Sequence, residues 1–222
     1  MDALSRLNTL YEIHDRYFQA TPHACEKFCA RCCTINVTAT SLEGRYILHH
    51  IPEKNRSTAI NAFSAALPRQ RYRPRLTTNG FAAACMADVD IPEEVNDPAW
   101  GACPMLSDDM CTIYDYRLMG CRIMTSRTPC TSEEGGEADM DEITVTMNQI
   151  FLQYVEHMDE GGVFGNMTDI ICFLEKEPDG SPKAAQAYDL LHNREAPFLM
   201  IPPEHRQRVM PMLRDIQKNV FG

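Results

Sequence analysis

CEKFCARCC, residues 25–33, places Cys25, Cys29, Cys32 and Cys33 within nine residues, and the rest of the chain is read outward from it. Thiols this close coordinate a soft metal or an iron–sulfur cluster, become oxidised, or lie buried as small apolar groups. The redox compartment bears on the choice. The first residues, MDALSRLNTLYEIHD, scatter Asp2, Arg6, Glu12 and Asp15 among apolar side chains and so lack the apolar stretch of an export signal. A cytoplasmic location is expected, and there ten cysteines do not make a disulfide framework, so the clustered ones are assigned to a metal.

Spacing refines this assignment. Cys29-x-x-Cys32 is the common chelating pair, because two intervening residues let both sulfurs turn toward one centre. Cys25 extends it to Cys-x3-Cys-x2-Cys, the triplet with which radical S-adenosylmethionine enzymes hold a 4Fe-4S cluster. Those enzymes stand on a βα-barrel, for which this chain has neither the strands nor the length. Cys33, next to Cys32, is expected to point away from it and to serve a second or polynuclear centre. A second cysteine-rich region, CPMLSDDMCTIYDYRLMGCR, adds Cys103, Cys111 and Cys121, and Cys130 follows, so that eight thiols suffice for two four-thiolate sites. The later cysteines are separated by seven and nine residues rather than by a second Cys-x-x-Cys knuckle. That uneven spacing favours an iron–sulfur cluster over zinc. The first ligand set is Cys25, Cys29 and Cys32 with one distal cysteine. Arg122, beside Cys121, is the candidate cofactor-binding residue, offsetting thiolate charge and hydrogen-bonding to sulfur, or else pairing with a nearby aspartate. Cys85 and Cys172, in apolar helical text, read as buried structural thiols, and His23 as a lesser ligand candidate.

The chain around these cysteines reads as mainly α: one irregular helical domain over residues 1–222, with long loops, little β and a cysteine-ligated metal centre. Its metal-binding region covers 25–130 and its C-terminal helical part 143–222. Leu4, Leu7, Tyr11, His14 and Phe18 predict a helix over 3–19 with Asp2 as cap. Thr40 and Glu43 have capping-box spacing ahead of a helix that stops at Pro52, and Ile60, Phe63 and Leu67 mark the next. Residues 88–106 have no helical period. The acidic segment SEEGGEADMDE reads as a mobile loop. Further helices are expected at 147–158, at 170–174, in AAQAYDLLHN, and in PEHRQRVMPMLRDIQKNV with a break or kink at Pro211. Met147, Met158, Met210 and Met212 read as core filler.

The net charge of −10 argues against nucleic-acid binding, and no 18-residue apolar run is present to span a membrane. One basic run, RQRYRPR, carries Arg69, Arg71, Arg73 and Arg75 around Tyr72 and reads as a solvated loop or as an anion site.

CEKFCARCC, then CPML, then MCTIYDYRLMGCR, resembles the CxxCxxCC cysteine-cluster family, the YkgJ-like proteins described as zinc- or iron-chelating domains. The matching positions are Cys25 to Cys33, Val37 to Glu43, Cys103 to Leu106, Cys111 to Tyr114 and Arg117 to Arg122, with a three-residue first gap and with Leu118 where proline is usual. The resemblance implies an iron–sulfur or zinc centre with a structural or redox role. A similar cysteine cluster in the flagellin lysine N-methylases implies an alternative, an enzyme that modifies a protein or small molecule, with S-adenosylmethionine as methyl donor. A metal carrier or delivery factor is the third reading.

Overall fold

The computed structural model describes residues 1–26, 28–91, 93–130, 138–177 and 182–222. In chain order the elements are α1 (Ala3–Gln19), β1 (Thr38–Thr40), α2 (Ser41–His50), α3 (Glu53–Ala66), α4 (Thr78–Met86), β2 (Leu106–Ser107), β3 (Met110–Cys111) and α5 (Met119–Arg122). They continue with α6 (Glu142–Met158), β4 (Val163–Asn166), α7 (Met167–Lys176), α8 (Pro182–Ala187), β5 (Leu191–His192) and α9 (Arg206–Ile216). Helix accounts for 53% and strand for 7%, in keeping with a mainly α reading. Among the described residues no helix is long and apolar enough to cross a membrane.

Local signals explain most boundaries. Asp2 accepts the Ser5 N–H at 2.9 Å and opens α1, a cap of about 1 kcal/mol. The capping box forms as expected: Thr40 Oγ1 accepts the Glu43 N–H at 3.2 Å, and the Glu43 carboxylate accepts the Thr40 N–H at 3.1 Å. Ile51 then takes an extended conformation, as the residue before Pro52 must, and α2 ends.

α2 separates two apolar clusters and belongs to both. Leu42 and Tyr46 join Leu7, Leu10, Phe151 and Met212, on a core built with α1, α6 and α9. Ile47 and Ile51 join Phe63, Ile170, Ile171 and Phe173, on a core built with α3 and α7. The α2–α7 contact requires Gly44, where an added Cβ would stand 2.6 Å from Ile170 Cγ2 and 2.7 Å from Leu174 Cδ1.

Several expectations are corrected. VFGN lies in text read as helical, yet forms the middle strand of an antiparallel sheet ordered β1-β4-β5, with Thr38 opposite Asn166 and Phe164 opposite Leu191. AAQAYDLLHN is not one helix. α8 stops at Ala187, Asp189 adopts a left-handed φ of 55°, and Leu191 enters the sheet. Pro211 does not break α9, which continues into a π-helical turn at Gln217–Phe221. Pro211 and Gln207, whose carbonyl loses its partner, are both exposed, so water can serve that carbonyl. Met158 and Met212 are core residues and Met147 packs at the edge, but Met210 is exposed.

The basic run is not simply solvated. Arg71 is buried and grips Asp169 of α7 with both Nε, at 2.8 Å, and Nη2, while its Nη1 donates to the Leu67 and Arg69 carbonyls. Of the acidic segment, residues 132–137 lie outside the described residues. Its remainder is anchored: Asp139 pairs with Arg127 at 2.7 Å, and Asp141 caps α6 by accepting the Thr144 N–H at 2.9 Å.

Two outcomes are expected. Arg71→Ala leaves the buried Asp169 carboxylate with Arg73 Nε, 3.6 Å away, as its remaining cation and should cost about 3 kcal/mol in urea unfolding, most of it recovered when Asp169→Leu accompanies Arg71→Met. Burial, opposed in part by hydrogen bonds, raises the Glu43 pKa above its ordinary 4.5. The neutral carboxyl is thus favoured in the folded state, a contribution present below 4.5 and lost as pH rises through the folded value. The melting-temperature difference between wild type and Glu43→Gln should therefore move in favour of wild type as pH falls from neutrality toward 4.5. A difference independent of pH would refute the shift.

Candidate metal centre

The thiol segment leaves α1 after Gln19 and forms a loop of tight turns rather than a helix. Phe28 adopts φ 72°, the Cys29 N–H donates to the Glu26 carbonyl at 3.1 Å, and the Cys33 N–H to the Ala30 carbonyl at 3.0 Å. Two other stretches fix this loop in place. On one side Thr34 forms an antiparallel bridge with Ala102, flanked by Ile35 N–H to Gly101 O at 2.8 Å and Cys103 N–H to Cys33 O at 2.9 Å. On the other, the Ala24 N–H donates to the Ser126 carbonyl at 2.7 Å and the Ser126 N–H returns to Cys25 Sγ at 3.3 Å. Gly101 is obligatory at its bridge end. Its φ is 125°, and a Cβ would fall 2.2 Å from Arg69 Nη2, which donates to the Ala102 carbonyl at 3.1 Å.

The distal cysteines come together through a hairpin. Asp108 and Asp109 both take positive φ, 49° and 58°, which suits the two-residue connection between β2 and β3. Leu106 then pairs with Cys111, and the Thr112 N–H donates to the Met105 carbonyl at 2.8 Å, so Cys103 and Cys111 stand at the base of the two limbs. Cys103 Sγ accepts the Met105 N–H two residues on, at 3.4 Å, and the Ile113 N–H acts to lower the Cys111 thiol against its burial. Cys121 rides on α5, whose first N–H, at Met119, donates to Glu43 Oε1 at 2.8 Å. Leu118 precedes it with φ −62°, a value proline would share, so the unusual residue leaves the backbone path unchanged. Cys103, Cys111 and Cys121 pack half-buried against the α3–α7 core.

Electrostatics follow from this placement. Burial pushes the Cys103 thiol up to about 11, and pushes Cys121, Cys111 and Cys25 up as well. The Cys32 and Cys33 thiols, expected to point apart, interact with one another. That interaction lowers Cys32 to about 6 and, with burial, raises Cys33. The cation that acts on Cys32, Cys111 and Cys121 is Arg117, held 4.1 Å above the Tyr114 ring, and Arg69 acts on Cys103. From the sequence Arg69 is named in the basic run and Arg117 in the stretch Arg117 to Arg122, but neither is assigned to the thiols; the i,i+3 spacing of Tyr114 and Arg117 is a local signal of their contact. Arg122 is occupied elsewhere. Its guanidinium meets Asp15 at 2.6 Å, the Arg117 and Asp115 carbonyls, and the face of Tyr11.

The remaining candidates separate clearly. Cys25 and Cys130 are half-buried within electrostatic reach of each other, whereas Cys29 and Cys32 are exposed. His23 stacks on Phe18, with ring centroids 4.3 Å apart. Cys172 is buried beside Ser64, but Cys85 is exposed, against its reading as a core thiol. Among the described residues no three His, Cys, Asp or Glu side chains converge closely enough to enclose a single ion. The eight thiols are neighbours without meeting at one point. The backbone N–H groups aimed at Cys25 and Cys103 stabilise anionic sulfur at those two positions.

At pH 7 the metal-free protein should react with a disulfide reagent first at Cys32. Its larger thiolate fraction, discounted for lower intrinsic nucleophilicity, gives roughly three- to sixfold the rate of a thiol of ordinary pKa. Peptide mapping of partly reacted protein checks this, and loss of the fast phase should follow Cys32→Ser. No protein-family model matches the chain, and neither the comparison with curated proteins nor that with solved structures finds a similar protein.

Proposed function

We propose that the protein binds a metal through its clustered cysteines, with a 4Fe-4S cluster favoured over zinc, and that the centre has a structural or redox role in the cytoplasm. The observation that carries this reading is the pair of backbone N–H groups directed at the sulfurs of Cys25 and Cys103, at 3.3 and 3.4 Å. A buried thiol kept only for packing needs no such donors. The order and spacing of the cysteines, in the pattern of the YkgJ-like proteins, support it independently.

The preference for iron–sulfur rests on spacing. Zinc sites made only of cysteine usually pair two Cys-x-x-Cys knuckles, and this chain has one such pair, with the later cysteines separated by seven and nine residues. Arg117 and Arg69 would offset part of the thiolate charge. One observation favours the carrier reading as a second choice: Cys29 and Cys32 are exposed, as ligands of a transferable metal must be. The methyl-transfer alternative gains no such support, since the sequence offers no glycine-rich strand-to-helix turn of the kind that holds the nucleotide part of that cofactor.

Protein purified without oxygen should carry iron and acid-labile sulfide in similar amounts, with visible absorption that bleaches on reduction. Stoichiometric zinc without sulfide, persisting after attempted reconstitution with iron and sulfide, would replace the cluster with zinc. Cys103→Ser should lower bound metal and melting temperature together. Retention of both at the wild-type level would return these thiols to the role of buried side chains.

A further inference from the structure

We propose that a cavity between the sheet, α4 and α6 binds a small organic cation, an amine carried on an aromatic or aliphatic body, with the Glu94 carboxylate taking the ammonium group. Among the described residues that line this cavity there is no cysteine, so the proposal stands apart from the metal-binding reading.

The cavity has a volume of about 370 Å³, within the range of small-molecule sites. Its floor is one face of the sheet. Thr40 lies opposite Phe164 in the β1–β4 ladder, and Thr38, two residues before Thr40, turns to the same face. Gln149 and Leu152, three residues apart on α6, form one wall, and Phe81, a turn beyond Thr77 at the start of α4, forms another. Ile91 and Glu94 close the remaining side from the irregular stretch after α4. Glu94 itself fastens that stretch: Oε1 accepts the Arg75 N–H at 2.6 Å, and Oε2 accepts the Tyr72 hydroxyl.

The wall selects the ligand by charge. Among the described residues that line the cavity, Glu94 is the one charged side chain, set among the apolar surfaces of Leu76, Phe81, Leu152 and Phe164. A carboxylate has about four acceptor positions, and two hydrogen bonds within the protein leave capacity for the N–H groups of a ligand. Burial and the Glu94 charge raise the Tyr72 hydroxyl above its ordinary 10, so Tyr72 stays a neutral donor. The arginines around Tyr72 are directed elsewhere. Arg71 grips Asp169, Arg73 pairs with Asp189 at 2.8 Å, and Arg75 meets Glu94 through its backbone N–H. Residues 88–97 add Asp88, Asp90, Glu93 and Asp97 and no lysine or arginine, a field that favours cations. An anion finds its natural place taken: at the N-terminus of α4 the Asn79 N–H already donates to the Glu156 carboxylate at 2.7 Å, and the Gly80 N–H to Thr77 Oγ1 at 3.0 Å.

The test titrates the full chain with 2-phenylethylamine, 2-phenylethanol and phenylacetate, which share one apolar body and differ in charge, with binding followed by NMR. Wild type should bind the amine about tenfold more tightly than the alcohol, and phenylacetate most weakly. Phe81→Ala, at an exposed position, should weaken amine and alcohol alike, which places both in this cavity. Glu94→Gln should bring the amine down to the level of the alcohol. Equal binding of amine and alcohol by wild type, tighter binding of phenylacetate, or a tenfold preference that survives Glu94→Gln would overturn the proposal. So would unchanged binding in Phe81→Ala, or no binding of any of the three at about 10 mM. Should Glu94→Gln loosen its stretch and bind neither amine nor alcohol, the order in wild type and the effect of Phe81→Ala decide. None of these outcomes bears on whether the cysteines hold a metal, which the iron, zinc and sulfide content reports separately.

Discussion

The Glu43 carboxylate holds together the parts of the chain on which the thiol arrangement depends. It is buried, and it accepts hydrogen bonds from the Tyr11 hydroxyl of α1 at 2.8 Å, from the Met119 N–H that opens α5 at 2.8 Å, and from the Thr40 N–H at the start of its own helix. A charged or proton-sharing group in an apolar interior is costly unless all its lone pairs are used, and here three donors from separate segments are recruited. Its position on α2, the helix shared by both apolar clusters, means that the same carboxyl that caps a helix also sets where Cys121 stands.

The same principle recurs around the molecule. Asp159 gathers Ser41 Oγ, the Leu42 N–H and Asn193, so that α2, the end of α6 and the chain beyond β5 meet at one carboxylate. Asn166 reaches the Ile35 and Tyr72 carbonyls, and Asp169 holds Arg71. These groups satisfy backbone and side-chain donors that long irregular connections would otherwise bury unpaired. Helical cores on either side of α2 supply apolar burial, and buried polar groups pin the loops between them, including the loops that carry the cysteines.

Much of this architecture was legible locally. The Asp2 cap, the Thr40–Glu43 capping box and the stripes of α1, α2 and α6 rest on contacts three or four residues apart, which spacing reports directly. β4 and β5 escape the sequence because β4 is wholly buried and has no alternation to read, β5 has only two residues, and the sheet depends on β1, far along the chain. Arg71 was taken for a surface cation for the same reason, since Asp169 lies 98 residues away. Among the thiols, the eight candidates and their order were visible. The interaction between the Cys32 and Cys33 thiols, the exposure of Cys85 and the place of Arg117 as the neighbouring cation were not.

By itself the sequence determined the donor chemistry: clustered cysteines, the Cys-x3-Cys-x2-Cys-Cys spacing, the distal cysteines and the helical setting, all properties of residue type and near spacing. Only the tertiary structure decided which thiols are neighbours and which cation faces them. Those relations are made by the Thr34–Ala102 bridge and the Cys25–Ser126 contact, which join segments about 70 to 100 residues apart and set the local β2–β3 hairpin beside the first thiols. No local pattern encodes such closures, because they are chosen by the free energy of the whole packed core.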